Sequence, residues 1–446
     1  MYNIMENIVL PPQKNWLYKL GKHPRLKPYN RVFILIMAVN LIVFTFSVTT
    51  WNWFSKDGIA LNDISNAILF NFALAILIRQ QYVVNLLFKI ATSAPKNWPL
   101  SIRRICAKIY HFGGLHSGGA TMGTLWYFIF VGSLYYHYSN GLSGVNTFII
   151  SLTSGVLLLL VFIIIMALPT IRAKYHNSFE VTHRIGGWSA LLLFWVQMIA
   201  FIKVQNQGVD FDYIALFSSL NFWILIALTI SAILPWLRLK KVDVHISKPS
   251  NHVALAAFDY GVTPFAGSST VISRNPLFEW HAFANVPSPN KEGFRLTISR
   301  AGDWTGKFIS ETPNKVWVKG IPTAGVGNVD KLFNKVVWIA TGSGIGPCIP
   351  HLLLNKTPSL LIWATRTPEK TYGKELIEEI KEVQPNAIIW NTDTHGKPDL
   401  VKLAYKAYKD FGAEAVICIS NQSLTNKVVY GMESRGIPAY GAIWDS

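Results

Sequence analysis

The 446-residue sequence contains few cysteines and few charged residues, and its acidic residues are greatly outnumbered by basic ones. Its three cysteines, Cys106, Cys348 and Cys418, lie far apart, which excludes a disulfide framework or a zinc-binding cysteine cluster. Charged residues make up 15% of the chain and hydrophobic residues 51%, a balance that is atypical of a soluble protein. The first 30 residues are polar and basic and lack the apolar run of a cleavable signal peptide.

The hydrophobic residues are concentrated in the first half of the chain. Six segments are apolar and long enough to cross a hydrocarbon layer about 30 Å thick: 32–50, 61–78, 118–138, 145–168, 182–202 and 213–236. The segments that would lie on one side of the membrane hold sixteen Lys and Arg residues, and those on the other side hold two. Because basic loops stay in the cytoplasm, the sequence predicts six spans with both termini cytoplasmic. The net charge of +17 then reflects topology, and no nucleic-acid motif accompanies it.

The second half reads as two soluble domains. Short alternating runs separated by Gly, Pro and Asn predict a small antiparallel β-barrel. Strands and helices alternate after residue 333, which predicts an α/β domain with a parallel sheet. We therefore divide the chain into a basic N-terminal segment, a six-helix transmembrane domain, a β-barrel and an α/β domain, at residues 1–30, 31–238, 242–328 and 333–446.

A glycine-rich turn follows the first predicted strand of the α/β domain. The sequence Thr341-Gly342-Ser343-Gly344-Ile345-Gly346-Pro347 comes directly after a short apolar run. Glycine lets the backbone approach a phosphate closely, and the start of a helix favours negative charge. The turn therefore fits a nucleotide-binding loop, although a plain connection from strand to helix explains the same residues equally well.

The next predicted strand ends in Thr365-Arg366. Ligands of open parallel sheets bind at the carboxyl ends of the strands. An acidic residue at this position would bind a ribose hydroxyl, whereas an arginine suits a 2′-phosphate. The sequence therefore favours NADPH over NADH.

Four histidines lie at the starts of the third and fifth predicted spans. His111 and His116 precede or begin the third span, and His176 and His183 precede or begin the fifth. Two interpretations remain open. Paired imidazoles could ligate a haem b, with nearby glycines making room for the macrocycle. Alternatively, the glycines allow close helix packing and the histidines form a polar network. An outer histidine pair is absent, which argues against a transmembrane electron relay through two haems.

Two stretches of the predicted barrel are also candidates for binding. Glu279 to Asn285 is a half-buried strand that carries His281 and Phe283. Arg300, Gly302, Trp304 and Thr305 precede a predicted helix, where a cation, a glycine and a hydroxyl could hold a pyrophosphate. Each stretch taken alone also fits an ordinary hairpin or a capped helix.

The order of these features resembles the ferric reductase and NADPH oxidase superfamily over nearly the whole chain. The sequence is most similar to fungal-type membrane flavoproteins, which occur alone or fused to adenylate-forming domains; some are associated with asexual sporulation. The strings that carry this likeness are residues 172–180, 302–305 and 434–438. The resemblance implies a ferredoxin-reductase-like cytoplasmic module, in which the barrel binds FAD and the α/β domain binds NADP.

The resemblance also implies roles for individual residues. The superfamily's His-Pro-Phe-Thr flavin motif falls on His281, Ala282, Phe283 and Ala284, so the usual threonine is missing. Cys418 matches the cysteine beside the nicotinamide, but Ile419 stands where a glycine usually follows it. Trp444 matches the terminal aromatic residue that covers the flavin. We therefore expect Cys418 and Trp444 to act at the catalytic centre.

These expectations define a membrane-bound, NADPH-dependent flavin oxidoreductase. Electrons would pass from NADPH through FAD to an unidentified small or lipid-soluble acceptor at the cytoplasmic face of the bilayer. Two alternatives are a haem-containing transmembrane reductase or oxidase, and a non-enzymatic redox sensor.

Overall fold

The computed structural model describes residues 8–55, 58–142, 144–205, 211–287 and 292–442. Its first half is helical. The helices there are α1 (Trp16–Lys22), α2 (Pro28–Thr49), α3 (Leu61–Leu77), α4 (Gln81–Thr92), α5 (Leu100–Cys106), α6 (Gly113–Ser139), α7 (Thr147–Ala167), α8 (Pro169–Lys174), α9 (His176–Gln205), α10 (Tyr213–Ser218) and α11 (Leu220–Ile233), with a short hairpin of β1 (Phe54–Ser55) and β2 (Gly58–Ile59). All six predicted spans are therefore mainly helical.

Within the described residues, three helices are long and apolar enough to cross a membrane, namely α2, α7 and α9. A fourth is obtained if α3 and α4, which are bent by 73° at their junction, count as one span. Helix α6 is long, but its glycines, histidines and hydroxyl side chains make it less apolar. The last predicted span is broken into α10 and α11. Three or four helices thus have the composition of a membrane span, and the six-span bundle stays a prediction.

Small and polar side chains hold the first helices together. The Asn40 and Asn71 side chains, on α2 and α3, exchange hydrogen bonds of 3.1 and 2.8 Å. The Trp126 indole on α6 donates to the Asn40 Oδ1 at 2.9 Å. A Cβ added at Gly119 of α6 would lie 2.6 Å from the Asn71 carbonyl oxygen. These contacts are typical of helices that pack closely around small residues in membranes.

The barrel domain confirms the predicted antiparallel sheet. Its strands are β3 (Leu239–Asp243), β4 (His245–Ser247), β5 (Val253–Phe258), β6 (Ser268–Ser273), β7 (His281–Pro287), β8 (Phe294–Ser299), β9 (Lys315–Lys319) and β10 (Thr323–Ala324), with α12 (Asp303–Glu311) after β8. They pair in the order β3-β9-β6-β7-β8-β5-β4, and β10 pairs with β6. The interior is filled by apolar side chains of alternate strand positions, among them Ile272, Leu296 and Val318. This alternation is why these short runs fold as a sheet with one buried face.

The last domain confirms the predicted parallel sheet. Its strands β11 (Val336–Thr341), β12 (Ser359–Thr365), β13 (Ile388–Asn391), β14 (Ala415–Ile419) and β15 (Ala439–Gly441) lie in the order β13-β12-β11-β14-β15. Helices connect them: α13 (Ile345–Leu354), α14 (Pro368–Tyr372), α15 (Lys374–Val383), α16 (Thr392–His395), α17 (Leu400–Phe411) and α18 (Gln422–Glu433). The strands are buried on both faces, as parallel strands covered by helices are.

The segment between α3 and α6 docks onto this second half. Val84 and Phe88 of α4, and Tyr110, belong to the same apolar cluster as Trp338 and Tyr440 of the parallel sheet. The Gln81 side chain donates to the Ile321 carbonyl oxygen at 2.8 Å, and the Asn85 side chain bonds Pro322 and Ala324 near the end of the barrel. The segment therefore joins the helical domain to both the barrel and the α/β domain.

A bidentate ion pair fixes this docked segment. Arg103, which is 4% exposed, donates to the two Glu414 carboxylate oxygens at 2.7 and 3.1 Å. Arg103 also donates to the Trp98 and Leu332 carbonyl oxygens. The Glu414 carboxylate accepts further bonds from Asn334. The bonds from Arg103 and Asn334 outweigh the effect of burial and lower the pKa of Glu414 from 4.5 to about 2.

Replacing Glu414 with Gln should lower the free energy of unfolding by about 2 kcal/mol at pH 7. Breaking a buried pair leaves the Arg103 charge uncompensated, while the partial exposure of Glu414 limits the cost. Because the pKa of Glu414 is lowered on folding, its contribution is present above about pH 4.5 and is lost as the pH falls towards 2. The measurement is the apparent melting temperature of the purified protein as a function of pH.

Glu382→Gln is the matched control, since Glu382 is exposed on α15. Equal melting temperatures of the two variants at pH 7 would contradict a stabilising role for the ion pair. A difference that persists unchanged down to pH 2 would contradict its electrostatic origin.

Candidate functional site

The glycine turn between β11 and α13 has a backbone that side chains would obstruct. Gly342 has a φ of +48°, in the left-handed region that favours glycine. A Cβ at Gly344 would lie 2.0 Å from the Ile419 carbonyl oxygen, so the turn touches the end of β14 directly. The Trp363 indole donates to the Gly342 carbonyl oxygen at 3.0 Å. Pro347 lies in the first turn of α13, where the lack of an N–H group costs nothing.

Polar residues collect at the carboxyl ends of the central strands. The Thr341 and Ser420 hydroxyls, after β11 and β14, are hydrogen-bonded to each other. Thr365 is buried at the end of β12, and Arg366 beside it is exposed. Trp363 is a site residue that the sequence interpretation missed. Ser420 lies one residue after a buried parallel strand, at the sheet edge where ligands of such sheets bind.

The position of Cys418 does not fit the predicted catalytic role. Its side chain is fully buried in an apolar cluster with Val428 and Met432 of α18. Ile417 and Ile419, its neighbours in the strand, belong to the cluster on the opposite face of the sheet. Burial raises the pKa of the Cys418 thiol to about 12. The strand's alternation therefore directs Cys418 into the core, and Ser420 occupies the edge of the cleft.

The rings of His281, Phe283 and Trp304 form an aromatic platform on the barrel. The Trp304 indole stacks on the His281 ring, with the centroids 4.1 Å apart, and it also stacks with Phe283 and Phe308. Its Nε1–H donates to Glu279 Oε1 at 2.7 Å, which fixes the plane of the indole. The structure thus brings together His281, Phe283 and Trp304, three of the predicted cofactor-binding residues.

The start of α12 lies beside this platform. The Thr305 hydroxyl oxygen accepts from the backbone N–H groups of Ala301 and Gly302 at 2.9 and 3.1 Å. Arg300 donates to Asn251 and Ser310, so its guanidinium lies along the first turns of the helix. Asp303 adds a negative charge to the same turn. Arg300, Gly302 and Thr305, which were predicted to bind a pyrophosphate, therefore lie next to one another, and Arg300 supplies the positive charge.

The barrel and the glycine turn lie against each other. A Cβ at Gly346 would lie 3.6 Å from the Thr297 Cβ on β8, an ordinary contact distance. Val286 of β7 packs into the apolar cluster of the α/β domain, and Ala284 shares its face of the strand. Phe283 packs on the barrel side. The missing flavin-motif threonine thus corresponds to Ala284, on the face of β7 that looks towards the α/β domain.

Several polar atoms on β7 and β8 lack partners within the described part of the chain. Among them are the Thr297 Oγ1 and the His281 Nε2, and both are buried. A buried polar group without a hydrogen bond is costly, so it is usually satisfied by a partner. Together with the aromatic platform, these atoms suit a flat polar cofactor such as FAD.

The platform also touches the start of helix α9. The Arg184 side chain donates to the Leu277 carbonyl oxygen at 3.1 Å, in the loop before β7. Burial lowers the pKa of His281. The negative charge of Glu279 opposes this shift, whereas His176 and Arg184 lower the pKa further. These electrostatic effects reflect the proximity of α9 to the barrel.

The structure separates the four predicted histidines. The His116 and His183 rings are in contact, with centroids 5.8 Å apart, and the His116 Nδ1 bonds the Ala75 carbonyl oxygen. His111 is buried beside Tyr110, and His176 is exposed and paired with Glu180. The pair His116 and His183 therefore remains as the histidine site between α6 and α9.

The surroundings of this pair do not fit a haem. Most of the glycines that would make room for a macrocycle are already in contact with neighbouring helices, whereas Gly187 has open space beside it. A Cβ at Gly114 would lie 2.4 Å from the Tyr29 carbonyl oxygen, and at Gly118 or Gly186 it would lie 3.0 Å from an isoleucine side chain. Helix packing therefore accounts for these glycines, and neighbouring helices fill the space that a macrocycle beside them would need.

Trp444, the second predicted catalytic residue, lies outside the described residues. The aromatic cover that the resemblance implies for the flavin thus remains a prediction.

Sequence comparison relates the chain to adenylate-forming reductases. A family model described as the C-terminal domain of adenylate-forming reductase 03009 matches residues 326–446. Two curated relatives from Coprinopsis cinerea, adenylate-forming reductases 06235 and 03009, are 43% and 44% identical over 427 residues, or 95% of this chain. The chain spans 41% of the length of each. The expected likeness to fungal proteins with adenylate-forming domains is thus confirmed, and membership of the ferric reductase and NADPH oxidase superfamily stays a prediction.

Solved structures give weaker likenesses. A ferredoxin NADP+ reductase from Neisseria gonorrhoeae with bound FAD and NADP is 13% identical, with a TM-score of 0.37, and covers 46% of this chain and 98% of its own. A flavohemoglobin from Malassezia yamatoensis with bound FAD and heme is 11% identical, with a TM-score of 0.39, and covers 86% of this chain and 98% of its own.

Two glycines of the turn should respond differently to the same substitution. Gly344→Ala should lower the free energy of unfolding by about 2 kcal/mol or more, because the added methyl group overlaps the Ile419 carbonyl oxygen. Gly346→Ala should change it by less than about 1 kcal/mol, because its methyl group makes an ordinary contact with Thr297. Thermal unfolding followed by tryptophan fluorescence measures both. Equal losses would show that the turn is not held against β14 as described.

Proposed function

We propose that the protein is an NADPH-dependent flavin oxidoreductase of the membrane. The observation that carries this proposal is the contact between the two domains, in which the glycine turn of the parallel sheet lies against β8, the neighbour of the strand that carries His281 and Phe283. The names of the curated relatives, which are reductases, support the same class of activity.

NADPH binds at the carboxyl edge of the parallel sheet. Gly342, Gly344 and Gly346 carry no side chains beside the N-terminus of α13, where backbone N–H groups favour a phosphate. Thr341 and Ser420 supply hydroxyl groups beside it. The exposed Arg366 at the end of β12 pairs with the 2′-phosphate, since a guanidinium offers several donors in one plane.

FAD binds along the platform of the barrel. His281, Phe283 and Trp304 hold the flat ring system, Arg300 and the start of α12 hold the pyrophosphate, and Thr297 offers a free hydroxyl. When bound, FAD accepts a hydride from NADPH and passes electrons to a second acceptor. The protein's part is to orient the two cofactors and to limit the access of water, with Trp444 as the expected cover of the flavin.

The helical domain anchors this module to the bilayer. Large apolar side chains of α2, such as Leu41 and Ile42, are 65% and 57% exposed, as lipid-facing residues are. The N-terminal segment and the segment between α3 and α6 both contact the α/β domain, so all three lie on one side. That agrees with six spans, cytoplasmic termini and the accumulation of basic residues on that side.

The acceptor reaches the protein at the cytoplasmic edge of the helices. The His116 and His183 pair lies one turn to two turns inside α6 and α9, and Arg184 next to His183 holds the barrel. A small or lipid-soluble acceptor bound at this pair would receive electrons from the flavin without a second cofactor.

Arg366→Gln tests the nucleotide assignment. The purified protein should contain flavin that NADPH reduces, and the variant should raise the KM for NADPH about tenfold or more with little change for NADH. The reason is the loss of a charge-assisted contact with the 2′-phosphate. Steady-state kinetics with both nucleotides measure this. An equal change for the two nucleotides would place Arg366 away from the 2′-phosphate, and a protein without flavin would refute the proposed function.

His183→Ala tests the acceptor site. The rate at which NADPH reduces the flavin, measured from the flavin absorbance under anaerobic conditions, should equal that of the wild type. Reoxidation by the acceptor should slow at least tenfold, because only the second half-reaction uses the histidine pair. The exposed His176→Ala is the control. Loss of both half-reactions together would refute the assignment, and a Soret band in the wild-type spectrum would restore the haem-containing alternative.

A further inference from the structure

A second cavity lies apart from the cleft, between the N-terminal segment and the α/β domain. Its volume is about 490 Å³, within the range of small-ligand sites. One wall is the segment from α1 to the start of α2, and another is the segment before α6. The third wall is helix α18 with the end of β15. Neither the glycine turn nor the aromatic platform lines it.

The charges around this cavity are unbalanced. Five cationic side chains line it: Lys22, Lys27, Arg31, Arg104 and Lys108. Among the described lining residues, Glu433 is the one carboxylate. Glu433 lies 3.3 Å from Lys22, 3.7 Å from Arg104 and 3.2 Å from Lys108. A single buried carboxylate thus serves three cations, which leaves a large excess of positive charge facing one concave surface.

One buried polar atom in the cavity wall lacks a partner. His111 is 6% exposed, and its Nδ1 has no hydrogen-bond partner in the described part of the chain. Lys108 contacts Glu433 and donates to the Ala439 carbonyl oxygen, yet burial still lowers the pKa of its ammonium to about 8. Buried polar atoms are normally paired. An anion in the cavity would give the His111 Nδ1 a partner and would add negative charge beside Lys108.

The cavity also lies where the helical domain begins. Pro28 and Arg31 belong to the first turn of α2, and His111 comes two residues before α6. On the six-span arrangement of the proposed function, this position is the cytoplasmic headgroup level, where basic residues attract acidic lipids. Apolar side chains such as Ile105 and Val429 line the same cavity. The combination suits an amphipathic anion better than a simple ion.

We propose that this basic cavity binds a phosphate-bearing anion at the membrane edge. The headgroup of an acidic phospholipid fits the position, and a soluble phosphate offers the same chemistry. The cations of the N-terminal segment and of the segment before α6 would hold the phosphate against α18. Occupation of the cavity would therefore strengthen the contact between the helical domain and the α/β domain.

Calorimetric titration of the full chain in a non-ionic detergent tests this. The probes are dioctanoyl phosphatidic acid, dioctanoyl phosphatidylcholine and inorganic phosphate. Phosphatidic acid should bind at least tenfold more tightly than phosphatidylcholine, because it carries a net negative charge. Lys22→Gln and Arg31→Gln should each weaken its binding about fivefold, as loss of one cation near an anionic headgroup does. Lys409→Gln, which removes an exposed charge on α17, should leave it unchanged.

Glu433→Gln separates binding from folding defects. Removal of the competing carboxylate should tighten the binding of phosphatidic acid about fivefold, whereas a misfolded variant can only lose it. If inorganic phosphate displaces phosphatidic acid, the phosphate group is the part that the cavity recognises. If phosphatidic acid binds but inorganic phosphate does not displace it, the cavity recognises the headgroup together with its acyl chains. Equal affinities for both lipids, or equal effects of Lys22→Gln and Lys409→Gln, would overturn the proposal. Flavin reduction by NADPH, measured on the same samples, reports separately on the proposed function.

Discussion

The bidentate contact between Arg103 and Glu414 is the interaction on which the arrangement of this protein depends. It joins a short helix of the helical domain to the loop before β14, the strand next to the glycine turn. Because Glu414 also accepts two bonds from Asn334, just before β11, both central strands are held at their amino ends. Their carboxyl ends, where the glycine turn lies, are therefore fixed in position relative to the helices.

The electrostatic design of the docked segment follows from this contact. Arg103, Arg104 and Lys108 approach Glu414 and Glu433, and burial removes much of the water that would otherwise screen them. At the Arg103 end the charges are balanced by one carboxylate. At the Lys108 end, the Glu433 carboxylate forms ion pairs with three cations. The same surface is therefore neutral near Arg103 and strongly basic near Lys108.

Local rules predicted part of this structure from the sequence. The helices Lys374–Val383 and Leu400–Phe411 and the strand Ala415–Ile419 begin and end where their periodicity places them, and the glycine turn follows from its composition. The role of Cys418 could not be predicted in this way, because the strand's alternation decides which face each residue occupies. Strand β15 is three residues long, and it exists only because β14 lies beside it. The basic residues of 79–112 indicated topology, but their specific partners lie more than 300 positions away and leave no local signal.

The helices that carry the histidine pair are linked to the barrel and the α/β domain by direct contacts. Helix α6 begins at Gly113, directly after the segment that Arg103 fixes, and His116 lies in its first turn. Helix α9 contributes His183 to the pair, while the adjacent Arg184 bonds the loop before β7. Displacement of either domain would therefore displace one histidine relative to the other. For that reason the distance between the aromatic platform and the histidine pair is set by the same contacts that assemble the protein.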